Sequence, residues 1–467
     1  MNFDKKLVAP DADQGDQFGY AVAISGTTAL VGSWLDDDGG SGSGSAYLFD
    51  TTTGGLISKL TAPDAAGGDR FGWSVAISGT TALVGSHLDD DDGTNSGSAY
   101  LFDTTTGGLI RKLTAPDAAL GDQFGWSVAV SGTTALVGSY RDADNGGSSG
   151  SAYLFDTTTG GLLHKLVAPD GAGIDFFGWS VALSGTTALV GSVGDDDNGT
   201  DSGSAYLFDT TTGGLISKLT APDGAPGDEF GWSVAVSGAT ALVGSHRDGD
   251  NGSDSGSAYL FDASTGGLIT KLIAPDGAAG DQFGHSVALS GTTVLVGSRL
   301  DDDNGMDAGS AYLFDTATGG LISKITAPDG AAHDEFGHSV AMNGTSALVG
   351  SRLDDDNGLL SSGSAYLFTQ GSQVVIPGDA NADGAVDLLD FDILAQNFGL
   401  ATAGGASAGD FNGDGAVDLL DFDVLAQNFG AGSPATLPGV APEPASLAML
   451  GLAGTLLLRG RRRGGWA

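Results

Sequence analysis

Residues 71–117 read FGWSVAISGTTALVGSHLDDDDGTNSGSAYLFDTTTGGLIRKLTAPD, and the same pattern opens at Phe18, Phe71, Phe124, Phe177, Phe230, Phe283 and Phe336. Each of these phenylalanines precedes a glycine and stands 53 residues after the last. Seven copies without insertion or deletion between them describe one unit repeated seven times, and that period governs every local reading. In the quoted copy four runs, Trp73–Ile77, Ala82–Gly85, Ser98–Phe102 and Leu109–Leu113, are rich in Val, Leu, Ile or aromatics and bounded by Gly, Ser, Thr or Asp. These are strand signals, and Ser78-Gly79-Thr80 between the first two is hairpin-sized. Four strands connected up and down make a small antiparallel sheet. Both of its faces carry apolar or small residues: Val75 and Ile77 on one, Ala76 and Ser78 on the other. Such a sheet suits a blade wedged between two others, so the pattern predicts an all-β, seven-bladed propeller over residues 1–376. The rival, a β-helix, has shorter rungs and no four-strand meander.

Composition narrows the function. Net charge is −40, carried almost entirely by Asp, because Glu occurs only at Glu229, Glu335 and Glu443. Asp favours turns and metal-binding loops over helices, which places the acid in loops. That surface repels nucleic acid and attracts divalent cations, so no nucleic-acid partner is expected. The chain has no cysteine, which excludes disulfides, thiolate metal sites and thiol nucleophiles. A monomer is expected.

Phe3–Leu7 aligns with the fourth strand of the other copies (Lys59-Leu60, Lys112-Leu113) and is the favoured strand to close the seventh blade; Gln373–Ile376, cut short by Pro377, competes. The FG-x-S-V-A start, the A-L-V-G-S second strand and the G-S-A-Y-L-F third strand resemble FG-GAP repeats, the blades of the integrin α-chain propeller. The resemblance implies an extracellular adhesion or ligand-binding platform. Calcium-binding members of that family carry an Asp-rich loop between the first two strands. Here that loop is Ser-Gly-Thr-Thr or close to it, so the family's usual calcium site is absent.

Acid gathers instead on the loops of one rim. The second-to-third loop holds Asp36/Asp38, Asp89/Asp91, Asp142/Asp144, Asp195/Asp197, Asp248/Asp250, Asp301/Asp303 and Asp354/Asp356. The fourth-to-first loop holds Asp11, Asp64, Asp117, Asp170, Asp223, Asp276 and Asp329, then Asp16, Asp69, Asp122, Asp175, Asp228, Asp281 and Asp334. Four carboxylates per blade could form a hard-cation site, giving more calcium on the propeller; equally, Asp closes Asx-turns and keeps a Gly-rich surface soluble. After Phe-Gly come Tyr20, Trp73, Trp126, Trp179, Trp232, His285 and His338, which packing between blades or a ligand could explain. After the second strand come Trp34, His87, Tyr140, Val193, His246, Arg299 and Arg352. All of these but Val193 are the better candidates for binding a protein or glycan ligand, because this position varies most.

Residues 377–431 change pattern to two twelve-residue loops 31 residues apart, each followed by a helix (Leu389–Asn397 and Leu420–Asn428). The first loop offers Asp379, Asn381, Asp383, Ala385 (by its carbonyl), Asp387 and Asp390; the second offers Asp410, Asn412, Asp414, Ala416, Asp418 and Asp421. Glycine at loop position 6 (Gly384, Gly415) permits the sharp turn, and the spacing wraps one Ca²⁺ per loop, two in all. The pair resembles a type I dockerin, which docks polysaccharide-degrading enzymes onto cohesin scaffolds. Family partners are read chiefly at loop positions 10 and 11, often Ser or Thr. Here these are Leu388-Leu389 and Leu419-Leu420, which weighs against a cohesin and leaves an apolar docking surface, in cis or in trans.

Residues 432–467 form a linker and tail. Pro442, Glu443 and Pro444 precede fourteen mostly apolar residues, then Arg459, Arg461, Arg462 and Arg463. The run is short for a spanning helix, and the arginines favour a cytoplasmic end. The arrangement resembles a PEP-CTERM sorting signal, which implies a bacterial protein exported to the surface or matrix, transiently held in the inner membrane and cut by an exosortase. Met1–Pro10 has no apolar core, so an upstream start with a signal peptide is expected.

Together these features predict a non-enzymatic, calcium-binding surface or matrix protein. The alternative is a dockerin-bearing enzyme or subunit of a polysaccharide-degrading assembly. Against catalysis, no copy breaks the repeat to install a unique constellation, and His87, His164, His246, His285, His333 and His338 are scattered.

Overall fold

The computed structural model describes residues 1–369, 380, 386, 388–400, 405–412 and 415–429. The chain divides into two compact units, Met1–Thr369 and Gln370–Ala467.

The first unit is seven four-stranded antiparallel sheets. In the second blade the strands are Ser74–Ser78, Thr81–Ser86, Ser98–Asp103 and Leu109–Leu113, running from the axis outward. The hairpin pairs Ser78 with Thr81, and Gly79 takes a positive φ of 57° there. The seventh sheet is closed by the N-terminal strand: Asn2–Leu7 pairs antiparallel with Ser364–Thr369. The competing Gln373–Ile376 lies outside the described residues.

The core sits between blades rather than within them. In the third strand Ala99 and Leu101 pack with Val128, Val130, Tyr153 and Phe155 of the next blade. Tyr100 and Phe102 pack with Leu30, Ala46 and Leu48 of the preceding one. Burial on both faces is why the run after Ser98, AYLF, does not alternate with polar residues, as in other doubly covered sheets.

The Phe-Gly pair is the joint between blades. Phe71 is fully buried, edge-on to Tyr100 at 5.5 Å and to Phe102 at 5.8 Å. Gly72 holds φ at +88°, and a Cβ there would lie 2.2 Å from the Ser45 carbonyl oxygen of the preceding blade. Only glycine meets both demands. The seam between last and first blades repeats these contacts: Ser339 Oγ donates to the Gly19 carbonyl at 2.8 Å, as Ser74 does to Gly125 at 2.9 Å.

The second unit has two helices, Leu388–Asn397 and Leu419–Asn428, each beginning one residue earlier than the sequence suggests. Val386, Leu394, Val417 and Leu425 form its core, with Phe391, Phe398, Phe411, Phe422 and Phe429 packed around them. The second loop pairs with the turn that follows the first helix: Gly399 N–H donates to the Val417 carbonyl at 2.7 Å and Val417 N–H to the Leu400 carbonyl at 3.0 Å.

Candidate functional site

Each blade's rim acids resolve into a group of three and a separate fourth. In the first blade Asp11, Asp36 and Asp38 converge, and a lysine stands among them. Lys59, on the outer strand, places Nζ 2.8 Å from Asp11, 2.9 Å from Asp36 and 2.5 Å from Asp38. Tyr47, from the third strand, donates its hydroxyl to Asp36 at 2.6 Å and to Asp11 at 3.0 Å. Asp36 is buried, and its other oxygen closes an Asx-turn by accepting from Asp38 N–H at 3.1 Å. One side chain therefore does both jobs that the sequence left open, turn closure and cation binding.

Lys6, Lys112, Lys165, Lys218, Lys271 and Lys324 take the same place in the other blades. Lys6 comes from the N-terminal strand, so ring closure also completes the seventh group. Burial works against the Lys59 ammonium, but bonds to Asp11, Asp38 and Asp36 hold its pKa above the usual value. Burial likewise pushes the Asp11 carboxyl up, yet Lys59 and Tyr47 outweigh it and hold it low. Neither the lysines nor the tyrosines were singled out from the sequence, although the lysines recur every 53 residues and the tyrosines do so as far as Tyr312.

The Asp pairs are not spaced alike in all seven blades. Carboxylate oxygens come within 4.8 Å of one another, close enough to share an ion, in the first five blades, from Asp11, Asp36 and Asp38 to Asp223, Asp248 and Asp250. Asp301 with Asp303 and Asp354 with Asp356 form no such cluster among the described residues. Asp303 is exposed; its N–H closes the turn on Asp301 at 3.1 Å, and its carboxylate is bonded to Lys324. Asp356 departs further. The seventh loop is one residue longer, with Tyr366 twelve residues after its partner Asp354 where Tyr312 stands eleven after Asp301. That extra residue is taken up by a 3₁₀ turn, Asp356–Gly358. Asp356 there accepts from Ser364 Oγ and lies 2.6 Å from Lys6 Nζ. Asp303 and Asp356 are thus lysine partners, as Asp38 is in the first blade.

The fourth carboxylate stands apart. Asp16 accepts from Asp13 N–H at 2.7 Å, which closes its own loop. Burial and the neighbouring Asp36, Asp13 and Asp37 raise its pKa to about 6 despite that bond.

At the axis the seven residues after Phe-Gly form a closed ring. Neighbouring ring centroids lie 4.6 Å apart for Tyr20–Trp73, 4.8 Å for Trp73–Trp126, and 5.0 Å for both Trp126–Trp179 and Trp179–Trp232. The circuit continues at 5.7 Å for Trp232–His285, 4.9 Å for His285–His338 and 4.8 Å for His338–Tyr20. They line an axial cavity of about 270 Å³. Packing and ligand access thus coincide in one set of side chains.

The residues after the second strand sit behind this ring, over its joints. Trp34 touches Tyr20 and Trp73, His87 touches Trp73 and Trp126, and Tyr140 touches Trp126 and Trp179. His246 stacks on Trp232 at 4.1 Å. His87, Tyr140, Val193 and His246 are buried, whereas Trp34, Arg299 and Arg352 keep partial exposure. Burial holds His87 and His246 neutral, the latter at a pKa of about 3.

A further variable position had not been singled out, the residue before each Phe-Gly: Gln17, Arg70, Gln123, Phe176, Glu229, Gln282 and Glu335. All seven hold positive φ. Glu335 accepts from Arg352 Nε at 2.8 Å and lies 3.5 Å from Arg299 and 3.6 Å from His338. Burial raises its pKa, but His338 and Arg352 bring it down to about 2. Gln17 accepts from Trp34 Nε1 at 3.2 Å and from Arg352 at 3.3 Å.

In the second unit the described loop residues are Asp390 of the first loop and Asp410, Asn412, Ala416, Asp418 and Asp421 of the second. Asp379, Asn381, Asp383, Ala385, Asp387 and Asp414 lie outside the described residues, as does the tail with Pro442, Glu443, Pro444, Arg459, Arg461, Arg462 and Arg463. Asp390 and Asp421, at loop position 12, are fully buried. Asp421 accepts from Phe411 N–H at 2.7 Å, Asn412 N–H at 3.0 Å and Asp418 N–H at 2.8 Å, so it ties the end of the loop to its beginning. Asp418 caps the helix through Leu420 N–H at 2.8 Å. The donors are carboxylates, an amide and a carbonyl, and residues 377–430 contain no Lys, Arg or His to neutralise them. This all-oxygen set fits calcium. Leu389, Leu419 and Leu420, at the positions read by dockerin partners, are exposed.

No helix among the described residues is long and apolar enough to cross a membrane. No curated protein matches the chain. The FG-GAP repeat model matches residues 2–49, 55–102, 108–155, 162–208, 214–261, 267–314 and 320–368, and the dockerin type I domain model matches residues 377–430. Each FG-GAP match begins on the outer strand of one blade and ends on the third strand of the next, the same offset that lets the N-terminal strand close the ring. The chain belongs to the FG-GAP repeat family, as a seven-bladed propeller followed by a dockerin type I domain.

Proposed function

We propose that this is a non-enzymatic protein of the cell surface or extracellular matrix, with the propeller as its ligand-binding platform. The dockerin unit is its calcium-dependent docking part, with Asp379, Asn381, Asp383, Ala385, Asp387 and Asp390 holding one ion. Asp410, Asn412, Asp414, Ala416, Asp418 and Asp421 hold the other. One observation carries the platform reading. The repeated acid of the rim is engaged by the repeat's own lysines and tyrosines, whereas the side chains that differ between copies gather around the axial cavity. Diversity placed on a rigid, uniform scaffold is how binding surfaces are built.

Export through the tail as a sorting signal belongs to the same proposal, and the mass of the mature protein tests it. Capture of partners from native matrix, with and without calcium, tests the platform. A propeller ligand is retained under chelation while a dockerin partner is released. A parallel hydrolase screen should show no turnover, and measurable turnover overturns the non-enzymatic reading.

The dockerin match supports a second reading, attachment to a cohesin-bearing, polysaccharide-degrading assembly. Exposed Leu389, Leu419 and Leu420 would make that contact apolar. Calcium-dependent binding to a panel of cohesins would establish it.

A further inference from the structure

The axial ring has an orientation that its angles disclose. Adjacent ring planes differ by 40° for Tyr20–Trp73, 43° for Trp73–Trp126, 50° for Trp126–Trp179 and 46° for Trp179–Trp232. A one-seventh turn is about 51°, so the planes rotate with the blades and stand nearer to parallel with the axis than across it. Upright rings either face the axis side by side or overlap like petals. Spacings of 4.6–5.0 Å are too short for side-by-side indoles and suit offset overlap. The faces are therefore spent on one another, and the hydrogen-bearing edges look into the cavity. Aromatic edges are the positive pole of the quadrupole. A wall of faces would draw cations; a wall of edges draws anions.

The charges around the mouth agree. Among the described residues every lysine but Lys5 is committed to a rim triad, while Arg70, Arg299 and Arg352 surround Tyr20. The Arg70 guanidinium lies 4.7 Å over Trp34 and 5.8 Å over Trp73, and Arg352 lies 5.9 Å over Tyr20. Glu335 faces this trio and engages Arg352 and Arg299, and Asp307 acts on Arg299 from farther off. Three cations against two anions leave a net positive mouth on a chain of net charge −40.

We infer that the axial mouth binds a carboxylated sugar, a terminal uronic acid residue whose carboxylate meets Arg70, Arg299 and Arg352 while its ring lies in the cavity against the inward edges of the aromatic ring. This rests on the proposed reading of the propeller as a ligand platform. The aromatic ring lines the cavity, which at about 270 Å³ has room for one sugar residue, being smaller than drug-sized sites of roughly 300–1,000 Å³; the arginines stand outside that lining. The acidic rim outside repels a long polyanion, which favours a chain end carrying one carboxylate.

The test is titration of the full, calcium-loaded chain with D-glucuronate, D-glucose and a blocked aspartate, read by tryptophan fluorescence and calorimetry. Glucuronate is expected to bind saturably, with glucose and blocked aspartate each weaker by about tenfold or more. Arg70→Gln and Arg299→His should each weaken glucuronate by about tenfold and leave the fold intact, since Gln17, Gln123, Gln282, His87 and His246 already occupy those repeat positions. Glucose binding as well as glucuronate, blocked aspartate matching it, or indifference to Arg70→Gln would each overturn the assignment. Capture of a matrix ligand that glucuronate fails to displace keeps the platform and removes the carboxylated sugar.

Discussion

The propeller rim and the dockerin loops solve the same electrostatic problem in opposite ways. Both crowd aspartates into a small volume. At the rim each trio has a lysine built into the neighbouring outer strand, so the cation arrives with the fold. In residues 377–430 there is no cationic side chain at all, so the counter-charge must come from outside. A covalently tethered ammonium cannot be chelated away or diluted; a bound calcium can. The difference teaches that an acidic loop is evidence for metal only once the basic residues of the surrounding strands have been placed.

The largest expected effect follows directly. Chelating calcium from the full chain should release the dockerin unit while sparing the propeller, because metal binding and folding of such loops are one equilibrium. Hydrogen exchange read by mass spectrometry should show peptides from 388–429 losing protection by about a hundredfold or more, with peptides from 1–369 unchanged. Loss of protection in the propeller would break the comparison.

Next in size is conversion of a rim site into a loop-like one. Lys112→Met leaves Asp64, Asp89 and Asp91 together without their ammonium. Breaking a fully buried pair costs about 3–5 kcal/mol, but Asp64 and Asp91 are nearly half exposed and water screens them. About 2 kcal/mol is expected, with part of it restored by millimolar calcium. Absence of rescue would mean that the lysine is not standing in for a metal. A smaller loss, about 1–1.5 kcal/mol, is expected for Tyr100→Phe, which removes the hydroxyl shared by Asp89 and Asp64 but leaves Lys112 in place. Thermal or denaturant unfolding measures both variants.

Most of the fold was legible in the sequence because a propeller is a one-unit problem, and seven copies amplify every strand and turn signal. Closure by the N-terminal strand was legible too: Lys6-Leu7 continues the Lys-Leu series of the outer strands, as the pairing with Ser364–Thr369 bears out. The site was harder. The carboxylates were visible as acidic loop residues, but Lys59 is remote in sequence from Asp11 and reaches it only through the fourth strand's place at the blade edge. The extra residue after Asp356 escaped notice because no eighth Phe-Gly follows to break the period. Trp73 is in phase with Val75 and Ile77 in the sequence, which suggested packing; that its packing partners are its own counterparts around an axis is a consequence of closure, which no single copy contains. Gln17 and Glu335 were overlooked because their positive φ turns them toward the mouth from a loop that reads as simple linker.

The last expected effect concerns the carboxylate that has no lysine. Asp16 has its pKa raised from 3.8 to about 6, so between those values the folded chain holds a proton that the unfolded chain has released. Stability therefore falls as pH rises through that window. Asp69, Asp122, Asp175, Asp228, Asp281 and Asp334 shift in the same direction. Asp11 and its counterparts shift oppositely; their contribution is present above 3.8 and disappears as pH drops below it. The buried His87, His246, His285 and His338, held neutral, also oppose the Asp16 class, since the unfolded chain takes up their protons below about 6.5. The whole-protein curve is a sum of these, and a single variant isolates one component. In Asp16→Asn the amide oxygen can still accept from Asp13 N–H, but there is no charge to bury. The variant should melt higher than the parent at pH 8 and equal to it below about pH 3, where Asp16 is protonated in both states. A variant that melts lower at pH 8 would show that the charge on Asp16 stabilises its loop, and that the fourth carboxylate belongs with the rim trios after all.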